Sequence, residues 1–331
     1  MNKDLLAAID LGSNTCRLII GKKGAQYLDI IEVFSRNIRL GEGVAQTGKL
    51  NKLAMKRAFD VLEACAKRLR HHAPFKLKAV ATEACRRAKN GPDFVKQVSE
   101  KTGIQLEVVS QQQEALLALK GCASVLDPLI PYAILFDIGG ASTEILWIEI
   151  NKDEPLKLID YISLPFGVVT LAEEFPYESA KSYSLIEQRT HDLLKDFSKK
   201  NNIHHYIEQQ QVQLIGSSGT ATTTAALHLG LKRYRRERVD GLIMNLEDVF
   251  TTIKHVQMMT SEERMIHQCI GTDRGDLILG GMAVLDAICK LWSIGKIRVT
   301  DRGVREGILT ELAFGPSHIP FPAVNSLFRV A

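Results

Sequence analysis

A chain of 331 residues is long enough for two domains, each with its own core. Hydrophobic residues make up 45% and charged residues 24%, ordinary for a globular protein, and a net charge of +4 is too mild to call for a nucleic-acid partner. No run approaches the roughly 18 apolar residues of a membrane span, and Asp4 and Asp10 interrupt the start too early for the apolar region of a signal peptide. Six scattered cysteines without CxxC spacing argue for free thiols in a reducing cytoplasm rather than a zinc or disulfide framework.

Three β-like runs open the chain, "LLAAID", "CRLIIG" and "YLDIIEVF", with turn residues between them. Residues 50–72 read as an amphipathic helix, with Leu53, Ala58, Leu62, Cys65 and Leu69 near helical spacing and cations at its end. A strand in "KLKAVATEA", a helix stopped by Gly103, the strand "LEVVS" and a helix through "QQEALLALKG" complete an α/β order. After a Pro-containing connector at 127–131 the opening pattern returns as "YAILFDIGGASTEILWIEI". An apolar strand, an Asp, a small-residue turn and a second strand thus occur twice, which predicts two related α/β domains facing each other across a ligand cleft. Farther on, "VQLIGSSGTATTTAAL" predicts strand, loop and helix, and "KIRVTDRGVREGILTEL" strand, turn and helix.

Phosphate is bound by converging backbone N–H groups and hydroxyls, with glycine allowing close approach. Three loops have these parts: Gly12, Ser13, Asn14 and Thr15; Gly139, Gly140, Ala141 and Ser142; and Gly216, Ser217, Ser218, Gly219 and Thr220, the last running into a helix N-terminus. Asp10 and Asp137 each close an apolar strand beside such a loop. A carboxylate there repels a phosphate unless a cation lies between them, which points to Mg²⁺ held by Asp10 and Asp137, with Glu144 within reach of the same ion. Each Asp also fits a role as a turn cap. Glu114, in the first turn of a predicted helix, fits either a dipole-favoured surface residue or a base for an attacking water. Arg86 fits a solvated cation or a phosphate clamp.

Taken together these stretches resemble the exopolyphosphatase / guanosine pentaphosphate phosphohydrolase family, over roughly 5–315. "AIDLGSNTCRLII" and "FDIGGASTEI" are similar to its two phosphate motifs, "ATEACRRA" to its arginine block, and "GSSGT" and "VTDRGVREGIL" to its third loop and C-terminal block. The resemblance implies duplicated ribonuclease H-like domains of the actin, Hsp70 and sugar kinase superfamily, here 1–127 and 128–315, with a tail 316–331 packing back on the first. It also implies that Glu114 is the general base, that Arg86 contacts phosphate, and that Asp137, Gly139 and Glu144 serve activity and metal binding. Asp10, Ser13, Asn14 and Thr15 fall on its first loop. The cofactor implied is Mg²⁺, with other divalent or monovalent cations as alternatives. Two departures stand out: Gln111 and Gln113 replace a Gly and a Glu before the base, and Ala141 replaces a third glycine. The length is that of the short, two-domain members.

The expected activity is hydrolysis of terminal phosphate from inorganic polyphosphate, with guanosine pentaphosphate as the alternative substrate and guanosine tetraphosphate as a related ligand. Competing classes are an ATP-dependent kinase of the same superfamily and a non-catalytic polyphosphate or alarmone sensor. No membrane or nucleic-acid partner is expected, and a cytoplasmic homodimer is. Lys232, Arg233, Arg235, Arg236 and Arg238 form a basic run that fits either a solvated face or a guide for a polyanion. His71, His72, His204 and His205 lack ligand spacing and read as surface residues.

Overall fold

A computed structural model describes residues 4–24, 27–74, 76–151, 154–175, 179–316 and 328–330. Its contacts divide the chain into two units, Met1–Ser124 with Gly303–Ala331, and Val125–Arg302. Residues 303–315, grouped by chain order with the second domain, therefore pack with the first. Within the expected tail, 317–327 and 331 lie outside the described residues.

The first unit contains strands β1 (Leu5–Leu11), β2 (Thr15–Lys23), β3 (Leu28–Asn37), β4 (Lys76–Ala81) and β5 (Leu106–Val108). The second contains β6 (Tyr132–Ile138), β7 (Thr143–Glu149), β8 (Lys157–Leu164), β9 (Val212–Ser217), β10 (Ile243–Asn245) and β11 (Lys296–Thr300). The last strand, β12 (Phe328–Val330), joins the first sheet in parallel beside β3. The sheet orders are β12-β3-β2-β1-β4-β5 and β10-β11-β9-β6-β7-β8. In each, a three-strand antiparallel meander is followed by two strands added in parallel to its first member. That shared order is the ribonuclease H-like one the resemblance implied. Even the irregularity is repeated: β2 has a register shift at Ile20/Gly21 and β7 has one at the matching step, Trp147/Ile148.

Alternation along β1 explains the layering of the first unit. Ala7, Ile9 and Leu11 join the core under helices Lys52–His72 and Gly91–Thr102, while Leu6 and Ala8 join the core under helices Gln111–Cys122 and Val304–Phe314. Asp10, continuing the second set, points to the face of Gln111–Cys122. Helix Lys52–His72 starts where the Asn51 side chain accepts from Ala54 N at 2.8 Å, and Gly103, at φ 75°, ends Gly91–Thr102. The predicted apolar stripe needs one correction. Leu53 is 70% exposed and Ala54 is buried in its place, because five residues from Leu53 to Ala58 turn the helix well off one face. His72 is likewise half-buried, with Nε2 2.6 Å from Glu32 Oε2. All six cysteines are buried and free, and no helix of the described residues is long and apolar enough to cross a membrane.

Candidate active site

The first loop is a four-residue turn between Leu11 and Cys16, which face each other across β1 and β2. Gly12 N donates to Thr15 O at 3.0 Å. Its carbonyls are anchored from behind: Asn14 O accepts from Ile38 N and Arg39 N, and Ser13 O from Gly41 N. Ser13 is buried and its Oγ accepts from Ala84 N at 3.1 Å, tying the loop to the start of helix Glu83–Arg87. Asp10 is buried, opposite Arg17 in the ladder, with Oδ2 3.8 Å from Arg17 Nη1.

Glu114 stands on the first turn of helix Gln111–Cys122. That helix starts in a capping box: Ser110 Oγ accepts from Gln113 N at 3.2 Å, and Ser110 N donates to Gln113 Oε1 at 2.8 Å. Gln113 in place of the family's Glu thus performs a capping task that an amide oxygen does as well as a carboxylate. Arg86 spends all its donors locally. Nη1 and Nη2 each reach Glu114 Oε2 at 3.1 Å, Nε and Nη2 reach Glu83 Oε2 at 3.1 and 2.6 Å, and Nη1 reaches Val109 O at 2.6 Å. Burial works against its charge, but Glu114 and Glu83 outweigh that and hold the guanidinium more firmly protonated than a free arginine. Glu83 went unnoticed in the sequence, although its three-residue spacing from Arg86 on a helix is a legible pairing signal.

The block Gly303-Val304-Arg305-Glu306-Gly307 holds this helix in place. A Cβ on Gly307 would lie 1.9 Å from Leu117 O, and one on Gly121 would lie 1.9 Å from Gly303 O. Only glycines let helices Gln111–Cys122 and Val304–Phe314 approach so closely. Glu306 Oε2 accepts from Gly303 N at 3.0 Å and Arg305 Nε donates to Glu306 Oε1 at 2.9 Å, both buried. Lys120 adds an ion pair to Glu311 at 2.6 Å.

In the second unit, Gly139 N donates to Ser142 O at 3.0 Å, the same turn closure as in the first. The carbonyls of Gly139 and Gly140 accept from Val168 N and Val169 N at 2.9 and 2.8 Å. A side chain on Gly167 would collide with Gly139 O at 2.3 Å, so this support also needs a glycine. Ala141 is buried and is not among the positive-φ residues, so its methyl group causes no backbone strain. Asp137 and Glu144 face each other across β6 and β7, and buried Glu144 accepts from Ser163 Oγ at 3.0 Å.

The third loop ends β9 and starts helix Gly219–His228, capped by Ser218 Oγ accepting from Ala221 N at 3.3 Å. Ser218 has φ 133° and ψ 167°, a region held almost only by glycine, so this turn stores strain beside the candidate phosphate site. Ser217 Oγ donates to Arg302 O at 2.7 Å. Over Gly219 lies the guanidinium of Arg274, whose Nη1 would be 3.2 Å from a Cβ there and is 3.2 Å from Thr223 Oγ1. A cation at this helix N-terminus suits an anion site. Nothing local in the sequence announced Arg274, because it meets the loop only through the fold.

Among the described residues no group of three or more His, Cys, Asp or Glu side chains forms a ready-made metal site. The Asp137–Glu144 pair nonetheless fits Mg²⁺ by its donor chemistry. Two carboxylates directly opposite each other repel, and a hard cation held by both would offset that repulsion.

Two acid-ended strands with small-residue turns, an arginine-held glutamate and a strained Gly/Ser loop define a phosphate-handling α/β enzyme of two duplicated units. Residues 19–314 match the Ppx/GppA phosphatase family, and the chain belongs to that family. An Aquifex aeolicus family member of known structure is 28% identical, covering 95% of this chain and 99% of its own, with a TM-score of 0.75. A Haemophilus influenzae relative, whose exopolyphosphatase description is itself provisional, is 26% identical over 93% of this chain and 91% of its own length. An exopolyphosphatase from Cytophaga hutchinsonii shares the fold, with a TM-score of 0.84 at 24% identity over 94% of this chain and 98% of its own.

Proposed function

We propose that this phosphatase removes the terminal phosphate from inorganic polyphosphate with Glu114 as general base. Water attacks the terminal phosphorus, the new P–O bond forms as the anhydride P–O bond breaks, and the water's proton passes to Glu114. Orthophosphate and a chain one unit shorter leave. The observation that carries this reading is the Glu114 carboxylate, whose side chain is only 13% exposed and which Arg86 orients at 3.1 Å. A base acts by being in place before the reaction, and the capped helix, the arginine and the glycine-packed helix behind it all serve that end. Arg86 first holds the base; contact with phosphate requires it to exchange one of its present partners. Loop N–H groups, with Arg274 beside the third loop, stabilise the equatorial oxygens electrostatically. Asp137 and Glu144 would hold Mg²⁺, which supplies charge neutralisation when bound. Asp10 differs, since Arg17 already faces it.

The altered "QQQE" segment is what suggests the sensor alternative, and the capping role of Gln113 supports the hydrolase reading by giving that residue a structural task beside Glu114. The test is phosphate release from long-chain polyphosphate and from guanosine pentaphosphate, with Mg²⁺, by wild type and Glu114→Gln. Release from polyphosphate should fall by about 10²–10⁴-fold in the variant. Preferred release from guanosine pentaphosphate reassigns the substrate, and no release from either ends the hydrolase reading.

A further inference from the structure

We propose that the basic turn at residues 232–238 is a second subsite, binding phosphates of a linear inorganic polyphosphate remote from the one being cleaved. The proposal rests on the phosphohydrolase reading above. Helix Gly219–His228 carries the chain away from the third loop for ten residues, about 15 Å. Gly230, at φ 62°, helps turn it, and by Arg236 the chain is back at the strand ends where that loop lies. Four bonds pin the return. Arg236 Nε lies 3.3 Å from Asp301 Oδ2, and Asp240 accepts from Thr300 Oγ1 at 2.6 Å, Asp301 N at 3.2 Å and Arg302 Nε at 2.9 Å. Thr300 is paired in register with Ser217 of the loop, and Ser217 Oγ holds Arg302 O at 2.7 Å. The segment is therefore anchored one residue pair from the candidate phosphate loop.

Its cations divide by use. Arg236 and Arg302 are taken up by Asp301 and Asp240, and Arg235 pairs with exposed Glu237 at 2.7 Å. Lys232, Arg233 and Arg238 are exposed, and no ion pair to them is found among the described residues. Burial would raise the Asp240 carboxyl, but Arg302, Thr300 and Arg236 hold it below the ordinary range, so the anchor stays charged at neutral pH. Three cations spaced from the far end of helix Gly219–His228 back toward the anion loop suit a ligand that repeats negative charge along its length. Tyr234 lies among them, its phenol pushed up by burial and by the nearby Asp301 carboxylate.

Binding to the non-hydrolysing Glu114→Gln protein tests this directly, with long-chain polyphosphate, inorganic triphosphate and guanosine pentaphosphate as probes. Adding Lys232→Ala, Arg233→Ala and Arg238→Ala should weaken long-chain binding by about tenfold and flatten its salt dependence. Triphosphate affinity should stay within about twofold, because triphosphate is too short to span both subsites. Unchanged long-chain affinity, equal loss for triphosphate, or a larger loss for guanosine pentaphosphate overturns the proposal. Phosphate release by wild type is read separately, so failure of the hydrolase reading is distinguishable from failure of the subsite.

Discussion

The turns after β1 and β6 are copies in backbone and opposites in charge. Each joins facing strands through four residues, each is closed by a glycine N–H bonded to a carbonyl at 3.0 Å, and each is backed by N–H groups from the segment after the third strand. The residue facing the strand-ending Asp is Arg17 in one copy and Glu144 in the other. Backbone geometry constrains both copies alike, whereas a side chain at a ladder position can change sign without disturbing the turn. The duplication thus keeps the same turn twice, with one strand-ending Asp faced by a cation and the other by a second carboxylate.

Glu144→Gln should break the comparison most strongly. Mg²⁺ needed for half-maximal activity should rise at least about tenfold, while Arg17→Gln leaves that concentration unchanged; equal shifts in both would show that the two copies do not differ in this way. The next effect concerns the helix pair, Gln111–Cys122 and Val304–Phe314, that holds Glu114 in the first unit. Burial alone would raise the Glu311 carboxyl, but bonds to Lys120 and Lys78 hold it below the usual range. A depressed value in the folded state contributes stability above the unfolded value, lost as pH falls through the folded one. Glu311→Gln should therefore destabilise at pH 7 by up to about 3 kcal/mol, with the gap to wild type closing below about pH 4 in urea melts. Gly307→Ala should cost about 1–3 kcal/mol, lower Tm by about 2–4 °C per kcal/mol, and slow phosphate release as the Glu114 helix is displaced. Smallest is Ser218→Gly, which relieves the strained φ at the loss of a weak cap. A gain of roughly 0.5–1 kcal/mol is expected, and a loss on thermal melting would show that the Ser218 side chain matters more than its backbone.

Much of the fold was legible because its signals are local. Period-two apolar runs, Asp-x-Gly turns and the helix start before Glu114 each lie within a few residues, and the recurrence of the first turn at the second revealed the duplication. The boundary at 315 was not legible. A helix after a strand looks the same whichever unit it joins, and only the close approach at Gly121 and Gly307 assigns Val304–Phe314 to the first. Leu53 failed for a smaller reason: helical phase drifts, and Ala54 lies nearer the stripe.

At the candidate site the same division holds. The sequence by itself determined the three loops, the placement of Asp10 and Asp137 at strand ends, and a glutamate at a helix start, since each follows from neighbours along the chain. Tertiary structure alone decided that Arg86 is shared by Glu83 and Glu114, that Arg274 covers Gly219, and that the C-terminal glycine block is a helix clamp. Those contacts join residues that local pattern cannot relate, because their closeness depends on which faces the packed helices and sheets bury together.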